Sequence, residues 1–428
     1  MTPDSIKIYT NFSSLALSSS AQVISQQLRA LYHRHSYRAS PDARNVVVLG
    51  GSFAGLQLAI RLSQSVPSGY RVVLVEKNSH FNYTFNFPRY SVVGGDNREK
   101  KAFVPYTNAF ARSPEGSWSL VRGKADRIAD GEVLLQSGQS LPFEYLAIAT
   151  GVMHPLPAKV VSPDRDEACA ELRGLRTRIQ RAGRVAVVGG GAVGVQLSSD
   201  IKSAYPDKEV VLVHSRERLL NGFGERLSQF VKTKLEDMSV RVMLQERPQI
   251  AAWAVDGAGV KDGNVQDNGN LVFEGGRTED FDLIIPCTGA IPNSKILSSY
   301  LPNSISSRTG RIIVRPTLQL ADNAHPNIFA LGDIAEIDAP KMARAAMTQA
   351  DIVSANIVAM IKGAKVQDYE PTTIEGFLKL SLGLEDNVMY VRDGKGGDIM
   401  VPGKTKNVDL EVGQAWWYLN ASMKAGDA

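Results

Sequence analysis

Cysteine is the scarcest residue of this 428-residue chain: there are two, Cys169 and Cys287, 118 positions apart. That spacing excludes a Cys-x-x-Cys redox pair, so electrons handled by this protein have no vicinal dithiol to pass through. The six histidines, at 33, 35, 80, 154, 214 and 325, are scattered and make no metal-ligand cluster. A net charge of +4 is too mild for the dense basic stripe that a nucleic-acid backbone requires, so nucleic acid is not an expected partner. Long apolar runs are missing as well. Residues 8–28 carry no charge, yet six serines with Asn11, Gln22, Gln26 and Gln27 make them too polar to span a bilayer.

What the N-terminus does contain is serine and basic residues. Between positions 5 and 41 there are Lys7, Arg29, Arg34 and Arg38 and no acid, with Val23, Leu28, Leu31 and Tyr32 able to line one helical face. The stretch reads either as a mitochondrial presequence or as an ordinary extension ahead of the first strand. Thr2 does not fit N-myristoylation, which needs glycine after the initiator. Near the other end, Trp416, Trp417 and Tyr418 suit a membrane interface or a packed core.

The dominant signal is a duplication. Asn45-Val-Val-Val-Leu-Gly50-Gly51-Ser52-Phe53-Ala54-Gly55 recurs 139 residues later as Arg184-Val-Ala-Val-Val-Gly189-Gly190-Gly191-Ala192-Val193-Gly194. Phe143-Glu-Tyr-Leu-Ala-Ile-Ala-Thr150-Gly151 is likewise echoed by Phe281-Asp-Leu-Ile-Ile-Pro-Cys-Thr288-Gly289, so a whole domain is repeated. Each copy reads as a buried parallel strand, a glycine turn and a helix whose free N–H groups point at a pyrophosphate. The expected fold class is α/β: two Rossmann-like domains plus a small α+β C-terminal domain.

In the first copy the second strand, Arg71 to Val75, ends at Glu76 and Lys77, where a carboxylate can accept from ribose hydroxyls. The middle glycine position is Ser52, a departure where backbone must approach phosphate. Downstream, Asn327 to Leu331 reads as a strand ending in Gly332-Asp333, with Pro340-Lys341-Met342 opening a helix to about Met360. An aspartate there can bind a ribityl chain, and the helix can aim its positive end at the N1/O2 edge of a reduced flavin. In the second copy the strand Glu209 to Val213 ends in His214-Ser215-Arg216-Glu217-Arg218 without an acid. The missing acid and Arg216 leave room for a 2′-phosphate, so NADPH, or both NADPH and NADH, is expected.

These residues resemble the apoptosis-inducing-factor-like flavoproteins of the pyridine nucleotide-disulfide oxidoreductase superfamily, and more distantly the type II NADH dehydrogenases. The likeness runs from about Asn45 to about Lys424 and is most specific at Asp200 to Ser215, at Cys287-Thr-Gly289 through Asn293-Ser294, and at Pro340-Lys-Met-Ala343. It implies FAD on the first site through Gly50, Gly55, Glu76, Thr150, Gly151 and Asp333, with Lys341 and Met342 near the isoalloxazine. It also implies a nicotinamide on the second through Gly189, Gly191, Gly194, His214, Arg216 and Gly289. Gln196 stands where the family often has a glutamate near the nicotinamide, and the family's myristoylated start is missing.

The expected domains are an extension at 1–43, an FAD domain at 44–155 and 285–362, an NAD(P)H domain at 156–284, and a C-terminal domain at 363–428. The expected activity is hydride transfer from NAD(P)H to FAD and then two electrons to a quinone-like acceptor. No acid-base residue is assigned, although Lys341 and Gln196 fall near the reacting rings, and His80, Phe81 and residues 83–89 either border the flavin or pack a core. The alternatives are a tailoring oxidoreductase or NADPH oxidase, and a nucleotide-binding redox sensor with negligible turnover. The expected location is cytoplasmic or mitochondrial, with possible peripheral membrane contact.

Overall fold

In the computed structural model of this chain, residues 4, 27, 28, 30–249 and 265–423 are described. Strand β1 (Arg44–Leu49) leads into helix α1 (Phe53–Ser63), then strands β2 (Tyr70–Glu76), β3 (Trp118–Arg122) and β4 (Tyr145–Ile148). Val46 and Val48 enter one apolar cluster and Val47 and Leu49 another, so β1 is buried on both faces. That is why it reads as an unbroken apolar run rather than an alternation.

The second unit repeats the plan. Helix α2 (Arg165–Arg181) precedes β5 (Arg184–Val188), α3 (Ala192–Ala204), β6 (Glu209–Val213), α4 (Glu225–Asp237) and β7 (Val240–Met243). Strands β8 (Gln266–Val272) and β9 (Thr278–Pro286) complete a sheet of order β7-β6-β5-β9-β8, with β8 antiparallel. β9 stays in this sheet through Pro286, two residues beyond the boundary expected at 284.

The chain then returns. Strand β10 (Ile328–Ala330) pairs with β4, giving a parallel first sheet of order β10-β4-β1-β2-β3. Helix α5 (Ala343–Ile361) packs on α1. It begins three residues after Pro340, so that proline lies ahead of the helix rather than in its first turn, and Met342 occupies the N-cap.

The last segment joins both units. Strands β11 (Leu378–Leu382), β12 (Asp386–Arg392) and β13 (Asp398–Lys404) form an antiparallel meander. Leu378, Leu380 and Leu382 share a core with the second unit, whereas helix α6 (Val412–Tyr418) buries Val412, Ala415 and Trp416 against the first. The aromatic triplet is divided: the Trp416 indole donates to the Lys101 carbonyl (2.8 Å), Tyr418 bonds Gln57, and Trp417 is 80% exposed.

Of the N-terminal stretch, Lys7, Val23 and Arg29 lie outside the described residues. Residues 30–36 are helical and expose Leu31 and Tyr32, but the next residues are fastened to the first unit. His33 bonds the Val66 carbonyl at 2.7 Å and the buried Tyr37 hydroxyl donates to the Tyr70 carbonyl at 2.9 Å. Among the described residues, no helix is long and apolar enough to cross a membrane.

Candidate dinucleotide sites

Both glycine turns are built to the same contact. A Cβ at Gly55 would stand 1.8 Å from the Gly50 carbonyl oxygen, and one at Gly194 the same 1.8 Å from that of Gly189. Helix and strand therefore approach closer than any side chain permits, which brings the helix N-terminus to the carboxyl edge of its sheet. Ser52 and Gly191, the middle positions, share one extended conformation (φ −85° and −79°), and a Cβ at Gly191 would meet nothing within 4 Å. The serine is thus sterically free here. It does not cap α1, and neither α3 nor α5 has a side-chain cap. Three helices present unpaired N–H groups, and an anion is the natural partner for such ends.

In the first groove, Glu76 accepts from the Gly51 N–H and, at 2.7 Å, from the Asn78 N–H, which leaves the carboxylate fixed beside the turn. Tyr106 donates to the Gly51 carbonyl at 2.8 Å. Lys77 lies alongside, its ammonium pulled down by burial and partly restored by Glu76. Phe53 opens α1 and packs against Phe81 (5.0 Å between centroids) and Phe85 (5.1 Å), so this aromatic group braces the turn. His80 bonds Ser79 at 2.9 Å.

Thr150 and Gly151 close the far side. Asn293 donates to the Thr150 carbonyl (2.8 Å), and its N–H donates to the Gly151 carbonyl (3.0 Å). The neighbouring crossovers, Val152–Met153 and Ile291–Pro292, pair antiparallel. The Gly332 N–H donates to the Gln349 side chain on α5 (2.8 Å), which places Asp333 between β10 and that helix. The Lys341 ammonium donates to the Ala335 carbonyl at 2.8 Å; burial lowers its pKa and Asp333 opposes the shift. Met342 packs toward the second unit's core.

Sequence reasoning missed two residues of this groove. Lys159 donates to the Val152 carbonyl at 2.6 Å, with burial lowering its pKa and Asp333 the largest opposing charge. Burial, with Lys159 adding to it, holds His154 down to about 4. Both follow Thr150-Gly151 closely, which was the available signal; only the crossover's path brings them back to Asp333. These residues fit a flavin dinucleotide: a close-approach cradle, uncapped helix ends, a fixed carboxylate and three lysines.

The second groove has the same slot with different chemistry. The Gly190 N–H donates to His214 Nδ1 at 3.1 Å, so the ring's proton sits on Nε2. That Nε2 is buried, and the Arg218 backbone acts on the ring in the direction that favours its protonated form. Burial, with the Arg216 charge, keeps the imidazole below its ordinary pKa and hence neutral at pH 7. Arg216 is exposed. Gly289 adopts φ +74° after β9. Gln196 faces the C-terminal sheet, donating to Ser381 Oγ at 3.1 Å. Cys169 is buried within the second unit and Cys287 follows β9; burial pushes both thiols up to about 12. Among the described residues no group of histidines, cysteines or carboxylates could hold a metal.

The family model described as pyridine nucleotide-disulphide oxidoreductase matches residues 44–350. Human ferroptosis suppressor protein 1 is 32% identical over 378 residues, covering 87% of this chain and 95% of its own. "Fe-regulated protein 8" of Mycosarcoma maydis is 30% identical over 403 residues, covering 88% and 95%. Among solved structures, the sulfide:quinone oxidoreductase of Aquifex aeolicus superposes with a TM-score of 0.67 at 16% identity, covering 88% of this chain and 92% of its own. The cradles and these likenesses together make the protein a pyridine-nucleotide-dependent flavoprotein oxidoreductase: the chain belongs to the pyridine nucleotide-disulphide oxidoreductase family, in its apoptosis-inducing-factor-like group.

Proposed function

We propose that the first groove holds FAD, that the second accepts NADPH as well as NADH, and that the protein delivers two electrons to a quinone-like acceptor. The observation that carries this reading is the shared slot. Glu76 occupies it in the first groove and neutral His214 in the second, each bonded to the N–H of the second glycine of its turn. A carboxylate there suits an adenosine ribose with free hydroxyls. A neutral ring in place of a carboxylate, beside exposed Arg216, tolerates a 2′-phosphate.

A flavin bound here supplies the two-electron chemistry, taking hydride from reduced nicotinamide and returning electrons to the acceptor. The chain supplies placement and charge. Asp333 would bind the ribityl chain, and the uncapped N-terminus of α5 with Lys341 would favour negative charge at the adjoining ring edge. Both cysteines are held as thiols, which supports direct release to an outside acceptor. The quinone chemistry named for the Aquifex neighbour supports the acceptor class. Exposed Trp417 and Phe85 support peripheral contact with an apolar surface.

The test is an anaerobic titration of the purified flavoprotein with NADH and NADPH, followed by a quinone series, oxygen and a disulfide. Expected are bleaching by both nucleotides and rapid reoxidation by a quinone. Absence of flavin absorbance overturns the whole reading; reoxidation by oxygen or the disulfide alone overturns the acceptor.

A further inference from the structure

Helix α3, which carries the second glycine turn at its N-terminus, is fastened along one face to the rest of the molecule. Gln196, Asp200 and Ser203 follow one another at helical spacing on that face. Gln196 donates to Ser381 Oγ, and Ser203 Oγ accepts from the Leu384 N–H at 3.2 Å. Between them, Asp200 takes a bidentate pair from Arg89, Nε to Oδ2 at 2.7 Å and Nη2 to Oδ1 at 2.9 Å. Arg89 belongs to the first unit, on the short helix Phe87–Tyr90, and its Nη2 also donates to the Gly383 carbonyl at 2.9 Å.

Three parts of the chain thus meet at one guanidinium. The joint is buried, with both side chains 1% exposed. The Gly383 corner is shaped for it: φ is +72°, and a Cβ would stand 3.0 Å from Met238 and 3.1 Å from Ser203. Burying two charges gives little net stability over an apolar pair of equal volume, whereas a planar bidentate pair fixes distance and direction together. Such a joint is well suited to setting where α3, and so the turn at its N-terminus, stands relative to the flavin groove.

We propose that Arg89 and Asp200 are positioning residues for hydride transfer, holding the nicotinamide-binding helix at the separation from the flavin that the reaction needs. This rests on the dinucleotide assignments above. An offset of about 1 Å in such a transfer costs on the order of 100-fold in rate. The test replaces the pair by apolar residues of similar volume, Arg89→Met with Asp200→Leu, and measures flavin content, melting temperature, NADPH affinity, the long-wavelength nicotinamide–flavin absorbance band and the single-turnover rate of flavin reduction.

The expected result is a folded flavoprotein with NADPH affinity within about threefold of the parent, a weakened band and flavin reduction slowed about 10- to 100-fold. A rate and band within twofold of the parent would falsify the proposal. If the double variant loses its flavin, Arg89→Lys keeps the charge but not the bidentate bond; reduction should slow about three- to tenfold, and an unchanged rate overturns the proposal. A parent flavin that neither nucleotide reduces removes the oxidoreductase reading itself. Normal reduction of the parent with an unaffected variant removes only the role of the pair.

Discussion

The two grooves share one backbone construction and differ in the side chain that fills the slot beside the turn. Strand, glycine turn and helix agree to the same 1.8 Å forbidden contact, and in each groove a residue at the carboxyl end of the second strand, or just past it, bonds the second glycine's N–H. In the first that residue is Glu76, in the second His214. On the proposed assignment, backbone geometry supplies the phosphate cradle in both, while the side chain in the slot sets the charge beside the adenosine ribose. The lesson is that duplication preserved what steric packing demands and left free what only ligand chemistry selects.

The largest effects should come from breaking the shared contact. Gly55→Ala should yield protein without flavin absorbance. Gly194→Ala should keep the flavin, yet its reduction by either nucleotide should fall more than about 100-fold, as seen by anaerobic stopped flow. Loss of flavin from Gly194→Ala would show that the grooves are not separable.

Exchanging the slot comes next. His214→Glu makes the second groove like the first, and the ratio of kcat/KM for NADPH over NADH should fall about 10- to 100-fold, the worth of one charge-assisted hydrogen bond. An unchanged ratio would mean that the slot does not read the 2′ position. In the first groove, Glu76→Gln keeps an acceptor for the Gly51 N–H but removes the charge, so FAD affinity should weaken only about three- to tenfold by equilibrium dialysis.

The smallest effect concerns acid. Burial holds His154 down to about 4 in the folded chain, against 6.5 as its ordinary value. Below about 6.5 the unfolded chain therefore binds a proton that the folded chain refuses, and stability falls as pH drops from there toward 4. His154→Asn should remove part of this slope, raising the melting temperature at pH 5 relative to pH 7 by about 1–3 °C in thermal denaturation. Equal slopes for variant and parent would place the acid sensitivity elsewhere, for example at His214 or His80, whose pKa values burial also lowers.

How much was legible in advance follows from what each feature depends on. The β-α-β units were plain because buried parallel strands are apolar on both faces and the glycine turn tolerates few substitutes. By propensity Pro340 suits a first helical turn, whereas Met342 holds the extended N-cap conformation and the helix begins at Ala343. The Trp-Trp-Tyr run offered two readings, and the structure divides them by residue: Trp416 and Tyr418 turn to the core and Trp417 to solvent.

By itself the sequence determined that there are two dinucleotide-type domains, where each turn lies, and that the slots differ in charge. Those properties are local, set by strand periodicity, glycine and one side chain a fixed distance downstream. Tertiary structure alone decided that Lys159 and His154 return to Asp333, that Gln196 faces Ser381, and that Arg89 meets Asp200 across 111 residues. Contacts of that kind depend on how two sheets and a meander pack against one another, and no period or spacing along the chain encodes it.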